Sequence, residues 1–350
     1  PTGESTHLMA KAQPVLVAGE WRAADAVGTF EPTNPRTKAP TGEVYPMSGQ
    51  EEVFEAVAAA AAASAALQAC YPDGVAAFLE AFAGRIEGRA DEIVAMAESE
   101  TGLPATPRLA GVELPRTTGQ LRQAAAAARA RSWSLPTIDT KTNIRSMYRA
   151  LEGGVAVFGP NNFPFAFNSV GGGDFAAAVA AGCPVIGKGN SSHPGTTRLL
   201  AEEAFAAVRA TGLPAATVQL IYRTDHGVGK RLVSHPQIAA TGYTGSRAAG
   251  LALKEAADRA GKPIYLELSS INPVFILPGA LRGRAEGIAD EFKTSCLMGT
   301  GQFCTNPGIV VLLAGAETDA FIQLVRERFE AAPAGTLLAE GVEAAMARSV

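Results

Sequence analysis

From Gly153 to Pro278 the chain keeps a regular beat. Short, nearly all-apolar runs (GGVAVFG, CPVIGKG, TVQLIY, IAATGYT) alternate with helical stretches (SVGGGDFAAAVAAG, GTTRLLAEEAFAAVRATG, VGKRLVSH, GSRAAGLALKEAADRAG), and PIYLELS and PVFILP follow as further strands. Strands that are apolar on both sides expect cover on both faces. Alternation of such strands with helices predicts a parallel, doubly wound α/β sheet. Ligands of open sheets of this kind bind beyond the C-terminal ends of the strands, so the segments that follow each strand carry the functional question.

The rest of the chain fits around that sheet. Residues 14 to 50 are rich in Pro, Gly and Thr and read as short strands and turns, and residues 50 to 131 show helical spacing, punctuated by Pro72, Gly102 and Pro104. The Thr-rich, alternating stretch from Trp133 to Gly153 reads as a projecting hairpin. With 350 residues, 47% of them hydrophobic and 18% charged, the chain suits a soluble protein of about two domains. A formal charge of −4 with no basic stripe argues against nucleic acid. No uninterrupted apolar run of the roughly 18 to 20 residues needed for a membrane span is expected. The four cysteines (Cys70, Cys183, Cys296, Cys304) are widely spread and show no zinc spacing, so a metal site is not expected. Free thiols and a reducing, cytoplasmic setting are expected. A start at Pro1, with no signal pattern, reads as a processed or engineered end.

Several residues after the strands have two readings. Asn162, in PNNFPF, is a turn residue or a side-chain donor to an oxyanion. Lys188 is a solvated strand end or a point charge for a ribose or phosphate, with Ser191 and His193 just beyond it. Gly245 and Ser246 open a helix, where Ser246 is a plain N-cap or part of a phosphate cradle. The GxGxxG dinucleotide fingerprint is absent after the first strand. Glu267, inside YLELSS, is a structural carboxylate or a buried general base with a raised pKa. Cys304, in GTGQFCTNPG, is an inert thiol in a turn or a nucleophile left little covered by its glycines.

Taken in order, PNNFPF, Lys188, TGYTGSRAAG, LELSSINP and GQFCTNPG resemble the aldehyde dehydrogenase superfamily over nearly the whole chain. RSMYRALEGGVAVFG, AAGCPVIGKGNSSHPGT and LSSINPVFILPGAL are similar to the α-ketoglutaric semialdehyde (2,5-dioxopentanoate) dehydrogenases, with fatty aldehyde dehydrogenases as near relatives. The resemblance implies a Rossmann-like cofactor domain (1–131 and 152–265), an oligomerisation hairpin (132–151) and the first part of a second, catalytic α/β domain (266–350). It implies Cys304 as nucleophile, Glu267 as the base that activates water, and Asn162 with the Cys304 backbone N–H as oxyanion donors. Lys188, Ser191, His193, His226, Gly245, Ser246, Phe158, Pro160 and Leu268 would meet the cofactor. Phe163 and one of Arg116 or Arg122 would meet a semialdehyde acid. Ser191 stands where NAD-specific members often carry a glutamate, which favours NADP, with NAD as the second option. A homodimer or homotetramer is implied. The family's Glu-x-Phe motif and C-terminal strand do not follow Cys304 here, so a longer intact protein is expected. Two alternatives stay open: a fatty or broad-range aldehyde dehydrogenase, and a silent cofactor-binding or oligomerising piece.

Overall fold

The computed structural model describes residues 11–349. Pro1–Ala10 and Val350 lie outside the described residues, and with them the reading of Pro1 as a processed end. The chain divides between Glu267 and Leu268 into two compact units.

The first unit opens with β1 (Val15–Val17) and β2 (Glu20–Arg22), then β3 (Ala26–Phe30) and β4 (Tyr45–Ser48). Helices α1 (Gln50–Ala69), α2 (Asp73–Gly88) and α3 (Ala90–Thr101) follow, then a π-helical segment, Ala105–Glu113, that runs into α4 (Leu114–Ala130). The hairpin is β5 (Thr137–Asp139) with β6 (Ile144–Ser146), a short antiparallel pair. The alternating part then runs β7 (Gly154–Phe158), α5 (Gly173–Ala180), β8 (Val185–Lys188), α6 (Pro194–Thr211), β9 (Val218–Ile221), α7 (His226–Ser234), β10 (Ile238–Thr244), α8 (Arg247–Arg259) and β11 (Ile264–Glu267).

Among the described residues, seven strands form one sheet in the order β11-β10-β7-β8-β9-β1-β2. The five strands of the alternating part are parallel to one another, and β1 and β2 add antiparallel at one end. Helix α1 packs on β7, β8 and β9 and touches α7, while α5 and α6 pack on the sheet and α2 packs on them and on α4. Alanine and glycine set how near α1 comes. A Cβ on Gly154 of β7 would stand 2.6 Å from the Cβ of Ala60, so only glycine permits this approach. By length and composition α1 is apolar enough to cross a membrane, contrary to the expectation from sequence. Its Val53, Ala56, Val57, Ala60 and Leu67 are buried in the core of the unit, the pattern of a core helix.

The second unit is built on β12 (Asn272–Ile276) and β13 (Pro307–Leu312), which pair in parallel with Val274 opposite Val310 and Ile276 opposite Leu312. Helix α9 (Pro278–Leu297) connects them, and α10 (Ala316–Glu330) and α11 (Glu340–Ser349) follow. Its core gathers Ile276, Leu281, Ala289 and Phe321.

Candidate functional site

In the parallel sheet the chain steps outward from β7 to β8 and β9 on one side and to β10 and β11 on the other. The reversal lies between β7 and β10, so the ligand crevice of such a sheet is expected at the C-terminal ends of these two strands. Phe158 ends β7, and its buried ring packs against Tyr243 of β10 at 6.0 Å between centroids.

The loop that carries Asn162 leaves β7 at this point and is pinned along its length. Asn190 Nδ2 donates to the Gly159 carbonyl at 3.0 Å, and His193 Nε2 stands 2.8 Å from the Pro160 carbonyl. Arg108 Nη2 donates to the Asn162 carbonyl at 3.1 Å. Beyond it, the N–H groups of Phe165 and Ala166 donate to Glu113 Oε1 at 2.8 and 3.0 Å. Asn162 itself is half-buried. His193, expected among the cofactor contacts, is 1% exposed, and its Nε2 is engaged by the loop carbonyl. A carbonyl accepts only, so Nε2 carries the proton. Burial holds the imidazole below its ordinary pKa, which keeps it neutral. Nε2 thus supports the loop, while Nδ1 has no hydrogen-bond partner among the described residues.

Lys188 ends β8 half-buried at the same sheet edge, and its amine meets no hydrogen-bond partner among the described residues. Burial, and then the nearby charge of Arg223, pull it down to about 8. Arg223 follows β9, the neighbouring strand, and rests over the Phe30 ring at 6.0 Å. A cation pair with no carboxylate bound to either member among the described residues, on the rim of such a crevice, fits an anionic and hydroxyl-rich ligand, so the residues present suit a dinucleotide. Sequence reasoning missed Arg223, because one arginine after a strand carries no pattern. Ser191 is half-buried just beyond Lys188, and His226, at the start of α7, is exposed. Ser246 caps α8, accepting from the Ala249 N–H at 3.5 Å, and remains exposed beside Gly245. The plain capping role is thus real, and the hydroxyl still faces outward.

The two candidate arginines part company. Arg122 is exposed on α4 and grips Glu87 with two hydrogen bonds of 2.6 and 2.7 Å. That carboxylate engages Arg122 at the surface. Arg116 lies over the rings of Phe163 and Phe167, at 5.7 and 4.9 Å from their centroids, with no ion pair among the described residues. Phe163 is buried, meets Phe167 edge-on at 5.1 Å, and also carries Arg108 over its ring at 4.5 Å.

Glu267 ends β11, the edge strand, opposite Thr244, and the Gly245 N–H donates to its carbonyl at 3.0 Å. Its side chain is exposed, which corrects the expectation of a buried carboxylate. The reason is positional: β11 is an edge strand, and Glu267 shares its exposed face with Tyr265, which is 68% exposed. Asp174 at the start of α5 lies against Gly242 of β10, where a Cβ would meet its Oδ2 at 2.7 Å. Its carboxyl is held above the usual range by burial and then by the charge of Glu267.

In the second unit, Cys304 occupies a turn between α9 and β13 and is half-buried rather than little covered. Gly299, Thr300 and Gly301 before it all take left-handed backbone angles, with φ of 57°, 58° and 75°. Asn272 holds the turn from β12, its amide donating to the carbonyls of Cys304 at 2.8 Å and Asn306 at 2.9 Å. Asn306 in turn donates to the Cys296 carbonyl at 2.6 Å. The Asn in SSINP is thus a structural partner of the cysteine turn, a link that sequence alone does not reveal. Leu268 begins this unit, half-buried.

Residues 21–348 match the model of the aldehyde dehydrogenase family. The chain belongs to this family. Over 338 residues it is 39% identical to α-ketoglutaric semialdehyde dehydrogenase 2 of Azospirillum brasilense, covering 93% of the chain and 64% of that protein. Over 320 residues it is 38% identical to the α-ketoglutaric semialdehyde dehydrogenase of Acinetobacter baylyi, covering 89% of the chain and 59% of that protein. In fold it matches aldehyde dehydrogenase C of Pseudomonas syringae, a structure solved with NAD+ and octanal. The TM-score is 0.81 at 20% identity, over 95% of this chain and 67% of that one. The chain therefore spans about three fifths of the length of the curated relatives it matches.

Proposed function

We propose that the protein acts in the cytoplasm, as a homodimer or homotetramer, as an NADP-using aldehyde dehydrogenase that oxidises α-ketoglutaric semialdehyde to 2-oxoglutarate. The observation that carries the substrate is Arg116. It rests on Phe163 and Phe167 beside the Asn162 loop, keeps its charge unneutralised among the described residues, and offers a planar fork to a carboxylate. The semialdehyde dehydrogenases at 38 and 39% identity support the same class.

The roles follow from the chemistry of each residue. The Cys304 thiolate adds to the aldehyde carbon and forms a thiohemiacetal, with the charge that develops on oxygen stabilised by the Asn162 amide and the Cys304 N–H. A bound nicotinamide cofactor would supply the hydride acceptor, and loss of hydride from the thiohemiacetal would leave a thioester on Cys304. Glu267 then takes a proton from water, which attacks the thioester carbon, expels the thiolate and leaves the carboxylate product. Lys188 and Arg223 would hold the adenosine ribose and its 2′-phosphate, with Ser191 leaving room, and Ser246 and the start of α8 would take the pyrophosphate.

The test is steady-state kinetics of Arg116→Ala and Arg122→Ala with 2,5-dioxopentanoate and with hexanal. Losing a charged hydrogen bond of roughly 1.5–3 kcal/mol raises KM for the oxo-acid on the order of 10- to 100-fold in Arg116→Ala. The KM for hexanal stays near wild type, and Arg122→Ala changes neither. An Arg116→Ala enzyme with an unaltered KM for the oxo-acid sinks the substrate assignment, and the fatty aldehyde reading then takes its place if long aliphatic aldehydes turn over well.

A further inference from the structure

We infer that Arg108 and Glu113 are positioning residues that set the Asn162 side chain for its oxyanion, through a lattice that pins the PNNFPF loop from both sides. The inference rests on the oxyanion role proposed for Asn162.

The loop is an irregular stretch, and such backbone needs partners for its polar groups. It finds them in side chains from two separate parts of the first unit. On the β8 side, Asn190 and His193 hold the carbonyls of Gly159 and Pro160 at 3.0 and 2.8 Å. On the α4 side, Arg108 holds the carbonyl of Asn162 at 3.1 Å, and Glu113 holds the N–H groups of Phe165 and Ala166 at 2.8 and 3.0 Å. The Arg108 guanidinium also pairs with Glu113 Oε2, so the two form one clamp. Its Cζ lies over the ring of Phe163, the residue after Asn162, 4.5 Å from the centroid. Both side chains sit in a dry setting: Glu113 has no exposed side-chain surface, and Arg108 has 13%.

A buried ion pair is a costly way to hold a chain together, since hydrophobic residues of like volume often do as well or better. What it does supply is direction. The clamp makes contact with the loop at Asn162 itself and at three and four residues beyond it, and it meets backbone atoms there. An oxyanion donor works only when it is aimed at the transition-state oxygen before the reaction starts, and small displacements lose most of the effect. A clamp on the Asn162 backbone is placed to set that aim.

The test is a double-mutant cycle in the intact enzyme with Arg108→Met, Asn162→Ala and the pair, read as kcat, KM and the Kd for NADP. Asn162→Ala alone lowers kcat about 10²- to 10³-fold. Arg108→Met is expected to lower kcat at least about tenfold, with KM and the Kd for NADP within about threefold, while adding less than about threefold to Asn162→Ala. Equal losses in both backgrounds, or no loss in the wild-type background, overturn the inference and leave the oxyanion role standing. An Asn162→Ala enzyme with full kcat removes the oxyanion role, and the inference falls with it. Should Arg108→Met fail to fold, His193→Gln probes the same lattice from the β8 side. There too a loss of kcat that disappears in the Asn162→Ala background supports the inference, and an additive loss overturns it.

Discussion

At the C-terminal rim of the parallel sheet, Lys188 and Arg223 place two cations on neighbouring strand ends with no carboxylate partner among the described residues. Like charges repel, and the cost shows in Lys188, pulled down to about 8 by burial and by Arg223. A 2′-phosphate would relieve that repulsion, whereas the bare ribose of NAD would not. Arg223→Ala should therefore cut the preference for NADP over NAD by roughly 10- to 100-fold, the worth of one charged hydrogen bond, as measured by Kd for both cofactors. The pH dependence has a definite sign. A lysine depressed to about 8 is charged below that pH and neutral above it, so NADP affinity weakens as pH rises through about 8. Lys188→Met should bind NADP less tightly at pH 7 and lose that dependence. A flat profile in the wild-type protein would show that Lys188 does not meet the phosphate. Arginine 223 also illustrates what a sequence hides. Lys188 was legible because a strand end with a following polar loop is a pattern, but the arginine on the next strand becomes its neighbour only through the register of β8 and β9.

One element, α6, depends on a carboxylate from far away in the chain. Glu100 of α3 is 1% exposed and accepts the N–H groups of Gly195 and Thr196 at 2.7 and 2.8 Å, capping the first turn of α6 where Pro194 opens it. Burial raises its carboxyl to about 7, against the opposing pull of these hydrogen bonds. The folded state then holds this proton more tightly than the unfolded chain. Its contribution to stability is full below about pH 4.5 and is lost as pH rises towards about 7. The loss is on the order of 3 kcal/mol at 1.36 kcal/mol per unit. Urea unfolding of wild type and Glu100→Gln at pH 5 and pH 7.5 checks this: the wild type should lose more stability between the two pH values than the variant does, and parallel profiles would refute it. The helix itself was plain in GTTRLLAEEAFAAVRATG, but nothing local named its cap. Capping by a residue 95 positions upstream is a tertiary fact. The same limit explains Glu267 and His193. A short motif shows neither that the strand of Glu267 lies at the sheet edge nor that a loop carbonyl meets the His193 ring.

At the scale of the molecule, the alternating strands and helices are readable because burial on both faces marks the central strands β7, β8, β9 and β10, whereas β11 at the edge and β12 and β13 are partly exposed. The division near Glu267 has a functional consequence. The residues proposed for the cofactor, Phe158, Lys188, Ser191, Arg223 and Ser246, lie on one compact unit, and Cys304 lies on the other. Each unit has its own core, the second built on Ile276, Leu281, Ala289 and Phe321. The Cys304 turn is fixed from within its unit by Asn272 and Asn306, through carbonyls and not through the thiol. Removing the sulfur therefore leaves the hydrogen bonds of that turn in place. Cys304→Ala should bind NADP with a Kd within about twofold of wild type and keep its unfolding midpoint. Its aldehyde oxidation should fall by several orders of magnitude, as for any enzyme that loses its covalent nucleophile. Aldehyde turnover that survives in Cys304→Ala would remove the thiohemiacetal mechanism, whereas a large loss of NADP affinity would show that the cysteine turn contributes to cofactor binding.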